Sequence, residues 1–111
     1  MAGQKTISVT SPSLPIPPPP PPPPDYVVTG VLTPDATGDY NAAGIHDGLP
    51  YYERLDSEFV IWYRSDLEVW FLSEQLDDPL NNCWGAPDGE IVNDYNPGAN
   101  VDGIATVNEG I

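Results

Sequence analysis

A chain with one histidine, one cysteine and 17 acidic residues has few ways to assemble an active site. His46 lies in Ala43-Gly44-Ile45-His46-Asp47-Gly48. A hydrolytic triad needs a nucleophile beside a base that a third group orients, and no Gly-x-Ser-x-Gly elbow or comparable motif accompanies this histidine. His46 therefore reads as a loop residue hydrogen-bonded to Asp47, not as a general base. Paired carboxylates of the kind that cleave glycosidic bonds carry no weight, because so many acids guarantee that some pair falls close together. Glycine-rich phosphate loops, Gly-Lys-Ser/Thr and basic clusters are absent from the sequence. Cys83 cannot form an intrachain disulfide or a cysteine zinc site, and beside Trp84 it reads as a small buried apolar residue. The residues predict a protein that is not an enzyme and needs no cofactor.

Two further sets could bind a ligand. Asp94, Asn96, Asn100 and Asp102 place oxygen-bearing side chains at spaced positions in a glycine-containing loop, as hard-cation sites do. They lack the bidentate glutamate of an EF-hand, and the same residue types build ordinary turns, so they form only a weak calcium candidate. Trp62, Trp70 and Trp84 could offer an aromatic platform on which a sugar or receptor stacks. The competing reading is structural, since Trp62 and Trp70 sit in the middle of strand-like runs.

The elements that would position these residues follow from periodicity and turn chemistry. Residues 4–10, QKTISVT, alternate Ile7 and Val9 with polar neighbours, the pattern of a short strand with one apolar face. Having no hairpin partner nearby, it predicts docking on a sheet edge elsewhere, with Ile7, Val9, Leu14 and Ile16 at the interface. Pro17–Pro24 is an uninterrupted proline run. In polyproline II it makes a stiff rod of about 25 Å without internal hydrogen bonds. From Tyr26 onward the chain reads as short strands between turn clusters. Expected strands are 26–32, 49–54, 59–64 and 68–73, with late edge strands at 89–92 and 103–107. The stretch 38–44 reads as a loop, 94–102 as turn-rich, and a single helical turn is allowed at 73–76. No internal repeat is apparent.

The clearest hairpin is 59–64 with 68–73. Phe59, Ile61 and Tyr63 fall on one face and Val60, Trp62 and Arg64 on the other, while the partner strand alternates Val69 and Phe71 against Trp70 and Leu72, so both faces are largely apolar. Such a sheet is usually covered on both sides, here by a neighbouring subunit or by the C-terminal loops. The predicted fold is all-β: a small antiparallel sheet or sandwich-like module at 25–111, preceded by an extended docking arm at 1–16 and a polyproline spacer at 17–24.

Charge narrows the partners. The formal net charge is −14, and all 17 acids lie in residues 25–111 against Arg54 and Arg64, while the arm carries only Lys5. An acidic head repels phosphates and anionic lipid, which argues against nucleic acid or a membrane surface as partner. The N-terminal stretch lacks the apolar run of a signal peptide, and no segment approaches the ~20 apolar residues of a membrane-spanning helix.

Gly38-Asp39-Tyr40-Asn41, Gly44 and Asp47-Gly48-Leu49-Pro50-Tyr51-Tyr52, followed by Ile61-Trp62-Tyr63 and Trp70-Phe71-Leu72-Ser73, resemble small aromatic-rich β modules. Such modules occur in structural proteins of tailed phages and in environmental microbial proteins. The resemblance spans roughly residues 26–84 and leaves the arm and spacer outside. It implies a virion accessory, such as a capsid decoration, head-fibre or tail protein, assembled in the host cytoplasm. The arm would dock on the major capsid or another virion protein, with the chain oligomeric or lattice-bound. Two alternatives stand beside it: an extracellular filament whose subunits are completed by N-terminal strand exchange, and a carbohydrate- or receptor-binding adhesin module.

Overall fold

The computed structural model describes residues 19, 22–78, 82–98 and 100–110. The arm at 1–16, with Ile7, Val9, Leu14 and Ile16, lies outside these, as do Pro17, Pro18, Pro20 and Pro21 of the proline run. The described residues form eight antiparallel strands, and no helix occurs among them: β1 Tyr26–Thr29, β2 Gly38–His46, β3 Leu49–Arg54, β4 Val60–Arg64, β5 Val69–Ser73, β6 Trp84–Gly85, β7 Asn93–Pro97 and β8 Ala105–Glu109.

Each strand pairs with the next, and β8 returns to β1 through Tyr26↔Glu109, Val27↔Asn108, Val28↔Val107 and Thr29↔Thr106. The sheet is therefore a closed barrel, not the open sheet or sandwich that the strand pattern predicted. Closure is a contact between the two ends of the domain, and local periodicity carries no information about it. It also answers the edge problem, since a closed sheet leaves no long row of unpaired backbone groups.

Alternation sets what fills the ring. Val28, Tyr40, Ile61, Leu72, Trp84, Tyr95, Ala105 and Val107 are buried in one cluster. Their neighbours Asp39, Asn41, Asp94, Asn96, Thr106 and Asn108 face outward and are exposed or half-exposed. The apolar face is thus inside and the polar face outside, the reverse of a lipid-facing barrel. Among the described residues no helix is long and apolar enough to cross a membrane.

Several strand bounds differ from expectation for local reasons. β1 stops at Thr29 because Gly30 takes φ 127° and breaks the ladder. Residues 38–44, expected as a loop, open the nine-residue β2. The late strands lie further on, β7 at 93–97 and β8 at 105–109, so part of the expected turn 94–102 is strand. The allowed helical turn at 73–76 does not form: Ser73 ends β5.

The root of the spacer is fixed to the barrel. Asp25 donates its backbone N–H to Asn41 Oδ1 at 3.2 Å and accepts from the Ala42 N–H at 2.8 Å through its carboxylate. Its carbonyl accepts from the Gly110 N–H at 3.1 Å. A Cβ at Gly110 would collide with the Pro24 carbonyl, so glycine lets the proline segment lie directly on the end of β8.

Candidate functional site

β2 and β3 run past their outer neighbours. β1 pairs with β2 only up to Tyr40, and β4 pairs with β3 only at Tyr52 and Glu53. Pro50 has no N–H with which to extend the β3–β4 ladder. Residues 43–51 therefore form a projecting hairpin whose two strands, among the described residues, pair only with each other. Asp47 (φ 53°) and Gly48 (φ 86°) make its two-residue turn, both left-handed as a type I′ turn requires. A register shift between Ala42 and Gly44 bends it. Ile45 is 69% exposed and Leu49 38%, so the projection carries apolar side chains into solvent.

The tip is tied back to the β4–β5 hairpin. Asp47 Oδ2 accepts from the Ser65 N–H at 2.7 Å, and hydrogen bonds from Ser65 hold its carboxyl below the ordinary value. The His46 ring stands edge-on to Trp62 at 5.5 Å, and its Nε2 lies 3.6 Å from Asp77 Oδ1. His46, Asp47 and Asp77, with Arg64 and Asp66, border a cleft of about 320 Å³. Arg64 Nε is occupied by Asp66 at 2.8 Å.

Chemically this is a brace. Among the described residues no hydroxyl or thiol is bonded to His46, and Asp47, the hydrogen-bond partner expected from sequence, accepts from Ser65 instead, while Asp77 is the carboxylate beside the ring at 3.6 Å. The Cys83 thiol is pushed up to about 12 by burial and, secondarily, by the Asp78 charge. A thiol at that value is protonated at neutral pH and unreactive.

The tryptophans all serve packing. Exposure is 0% for Trp62, 8% for Trp70 and 0% for Trp84, so none offers a stacking platform. Trp70 and Trp84 belong to the barrel interior. Trp84 donates its indole N–H to the Gly103 carbonyl at 3.0 Å. Trp62 points to the outer face, where Phe71 and His46 pack on it and Ser73 accepts its N–H at 2.9 Å.

The calcium candidates lie on separate features. Asp94, on β7, accepts from the Thr106 hydroxyl at 2.8 Å. Asn96 pairs with Gly85, Asp102 bridges to Thr33, and Asn100 takes φ 66° in the turn between. Among the described residues no group of three or more His, Cys, Asp or Glu side chains is gathered to hold a metal ion.

Arg54 has a structural role that its sequence position did not signal. Its guanidinium is bidentate to Asp56 at 2.9 and 2.7 Å and donates to the Asp35 and Thr37 carbonyls at 2.7 and 3.1 Å. It also stacks on Phe59 at 4.8 Å. One cation thus joins the loop before β2 to the turn after β3. Comparison with protein-family models, curated proteins and solved structures finds no match to this chain.

Proposed function

We propose that this chain is a non-enzymatic structural protein, an accessory of a virion such as a capsid decoration, head-fibre or tail component. Residues 1–16 dock on the major capsid or another virion protein, and Pro17–Pro24 holds the acidic barrel away from the surface. The observation that carries the reading is that the ring closes on residues 26–109 alone. The head needs no strand from the arm, which leaves the arm to serve another protein. The fixed root at Asp25 adds to this, because a stiff rod clamped to a closed head sets a standoff distance. The adhesin alternative leaned on tryptophans that are buried.

The test combines the native particle with full-length protein and with a variant lacking residues 1–16, and measures occupancy by electron cryo-microscopy. Full-length protein should decorate the particle, whereas the arm-deleted head stays folded, soluble and unbound. Full occupancy by the deleted form would move the interface to the head. Replacing Pro17–Pro24 with a Gly/Ser linker of equal length should keep attachment and blur the head density.

One observation favours the filament alternative. Among the described residues, 43–46 of β2 have β3 on one side and no strand on the other, so they could receive a strand from another copy. Concentration-dependent polymers of the purified chain, abolished by the same deletion, would support strand exchange.

A further inference from the structure

The mouth of the barrel on the spacer side holds a cleft of about 370 Å³, lined by Tyr26, Tyr52, Asp25, Glu109 and the two prolines Pro23 and Pro24. The Tyr26 and Tyr52 rings meet at 4.8 Å and 76°, so the cleft has two aromatic walls set nearly at right angles. Both tyrosines pack against the core and are only half-buried, which seats them firmly while leaving ring surface open to the cleft.

Glu109 is the unexpected member. Along β8 it follows Ala105 and Val107 on the inward-pointing positions, opposite Tyr26. A carboxylate at that place lies over the mouth, where alternation would otherwise supply an apolar cap. The head's two cations are engaged elsewhere, Arg54 with Asp56 and Arg64 with Asp66. Glu109 therefore faces the aromatic pair without a cation from its own head domain. Tyr26 reports the resulting field. Its phenol is raised above its ordinary value first by burial, then by Tyr52, and further by the Glu109 and Asp25 charges.

We propose that this cleft binds an organic ammonium group, the end of a lysine side chain presented by a protein partner. Ring faces attract a cation through their quadrupoles, the two carboxylates supply the countercharge, and the proline walls cover the methylenes of the lysine stem. The two carboxylates would repel an anion. The inference stands apart from the docking role of the arm, because every residue in it except the two prolines belongs to the barrel.

The test is an amide chemical-shift titration of the full-length protein with n-butylammonium chloride, against sodium chloride at matched ionic strength. Saturable shifts confined to Asp25, Tyr26, Tyr52, Glu109 and Gly110 are expected, with millimolar affinity. Glu109→Gln is the principal variant, since this exposed side chain is outside the core. It should weaken binding by about two- to fivefold, the equivalent of a surface contact of 0.5 to 1 kcal/mol. Tyr52→Ala should abolish binding if it folds. Shifts that are linear, equal to those from sodium, spread over the acidic surface, or unchanged in Glu109→Gln would overturn the proposal.

Discussion

Tyr40 and Tyr95 are anchored in the same way, each donating its hydroxyl to the carbonyl four residues earlier in the chain: Ala36 at 2.6 Å and Ile91 at 2.8 Å. Both side chains are fully buried in the barrel interior. Each stands in the tripeptide Asp-Tyr-Asn, at 39–41 and at 94–96. The bond lets a large ring enter the core with its one polar atom satisfied, and it pins the loop that leads into β2 or β7 against the strand it precedes.

Removing either hydroxyl leaves a carbonyl without its partner while keeping the ring. Tyr40→Phe and Tyr95→Phe should each lower stability by about 1 to 2 kcal/mol, within the range for a buried hydrogen bond lost on one side. The two bonds share no partner, so the double variant should be close to additive. Urea melts of the three variants check this. A neutral effect at both positions would mean that the bonds are incidental.

Trp62 makes the corresponding arrangement on the outer face. Its N–H is bonded to Ser73 Oγ, which in turn donates to the Gln75 carbonyl at 2.7 Å, so the indole is wired to the connection after β5. Trp62→Ala should cost about 3 to 5 kcal/mol through the cavity it opens. Ser73→Ala, with the ring kept, should cost about 1 to 3 kcal/mol for the unpaired buried donor. Equal losses from the two would contradict the separation of packing from hydrogen bonding.

The β4–β5 hairpin and the alternation within each of its strands were legible in the sequence. Which faces of the two strands coincide was not legible: Ile61 and Tyr63 share the core side with Trp70 and Leu72 through the pairing register Ile61↔Leu72 and Tyr63↔Trp70. The second apolar face was legible too, but not its cover. His46 and the connection after β5 supply it, and both belong to segments whose composition reads as loop. The β2–β3 hairpin carried a signal in Asp47-Gly48, a dipeptide suited to a type I′ turn. Ala42-Ala43-Gly44 before it shows no alternation, and its strand character comes from pairing with β3. Ring closure could not be read at all, since it depends on residues at opposite ends of the domain. The Asp-Tyr-Asn recurrence was passed over in a sequence read as free of repeats, because a tripeptide gains meaning only when both tyrosines are seen bonded alike.

Alkaline and acid limits follow from shifts of opposite sign. Burial raises Tyr40 and Tyr95 above 10.0, the ordinary tyrosine value, which the unfolded chain retains. Their contribution is complete below that value and is lost as pH rises beyond it. Tyrosinate absorbance should therefore appear together with unfolding, and Tyr40→Phe should reduce this alkaline sensitivity. Asp56 behaves oppositely: hydrogen bonding to Arg54, then to the Glu58 N–H, holds its carboxyl below 3.8. Its contribution is present above 3.8 and is lost as pH falls through the lower folded value. Asp56→Asn should thus melt below wild type at neutral pH, with the gap closing in acid. A gap independent of pH would refute the ion-pair assignment.

Gly48 and Gly103 separate backbone strain from steric exclusion. Both have left-handed φ, 86° and 94°, so any L side chain is disfavoured at each. At Gly48 a Cβ would meet nothing within 4 Å, and only the conformational cost remains. That cost is about 1 to 2 kcal/mol for alanine. At Gly103 the same atom would run into the Val31 carbonyl oxygen, which is backbone and cannot rotate away. Gly30 faces the Ile104 carbonyl in the same manner across the gap, so the two chain segments lie back to back where the β1–β8 ladder is interrupted. Inserting a methyl there must push apart the pair of strands that closes the ring. Gly103→Ala should consequently cost ~4 kcal/mol or more, the range in which a single substitution signals a specific clash, while Gly48→Ala leaves a well-folded barrel. Thermal melts and amide exchange across β1 and β8 provide the measurement. If the two variants were equally stable, or if exchange at Val28 and Val107 were unchanged in Gly103→Ala, close approach at the seam would not be what requires glycine.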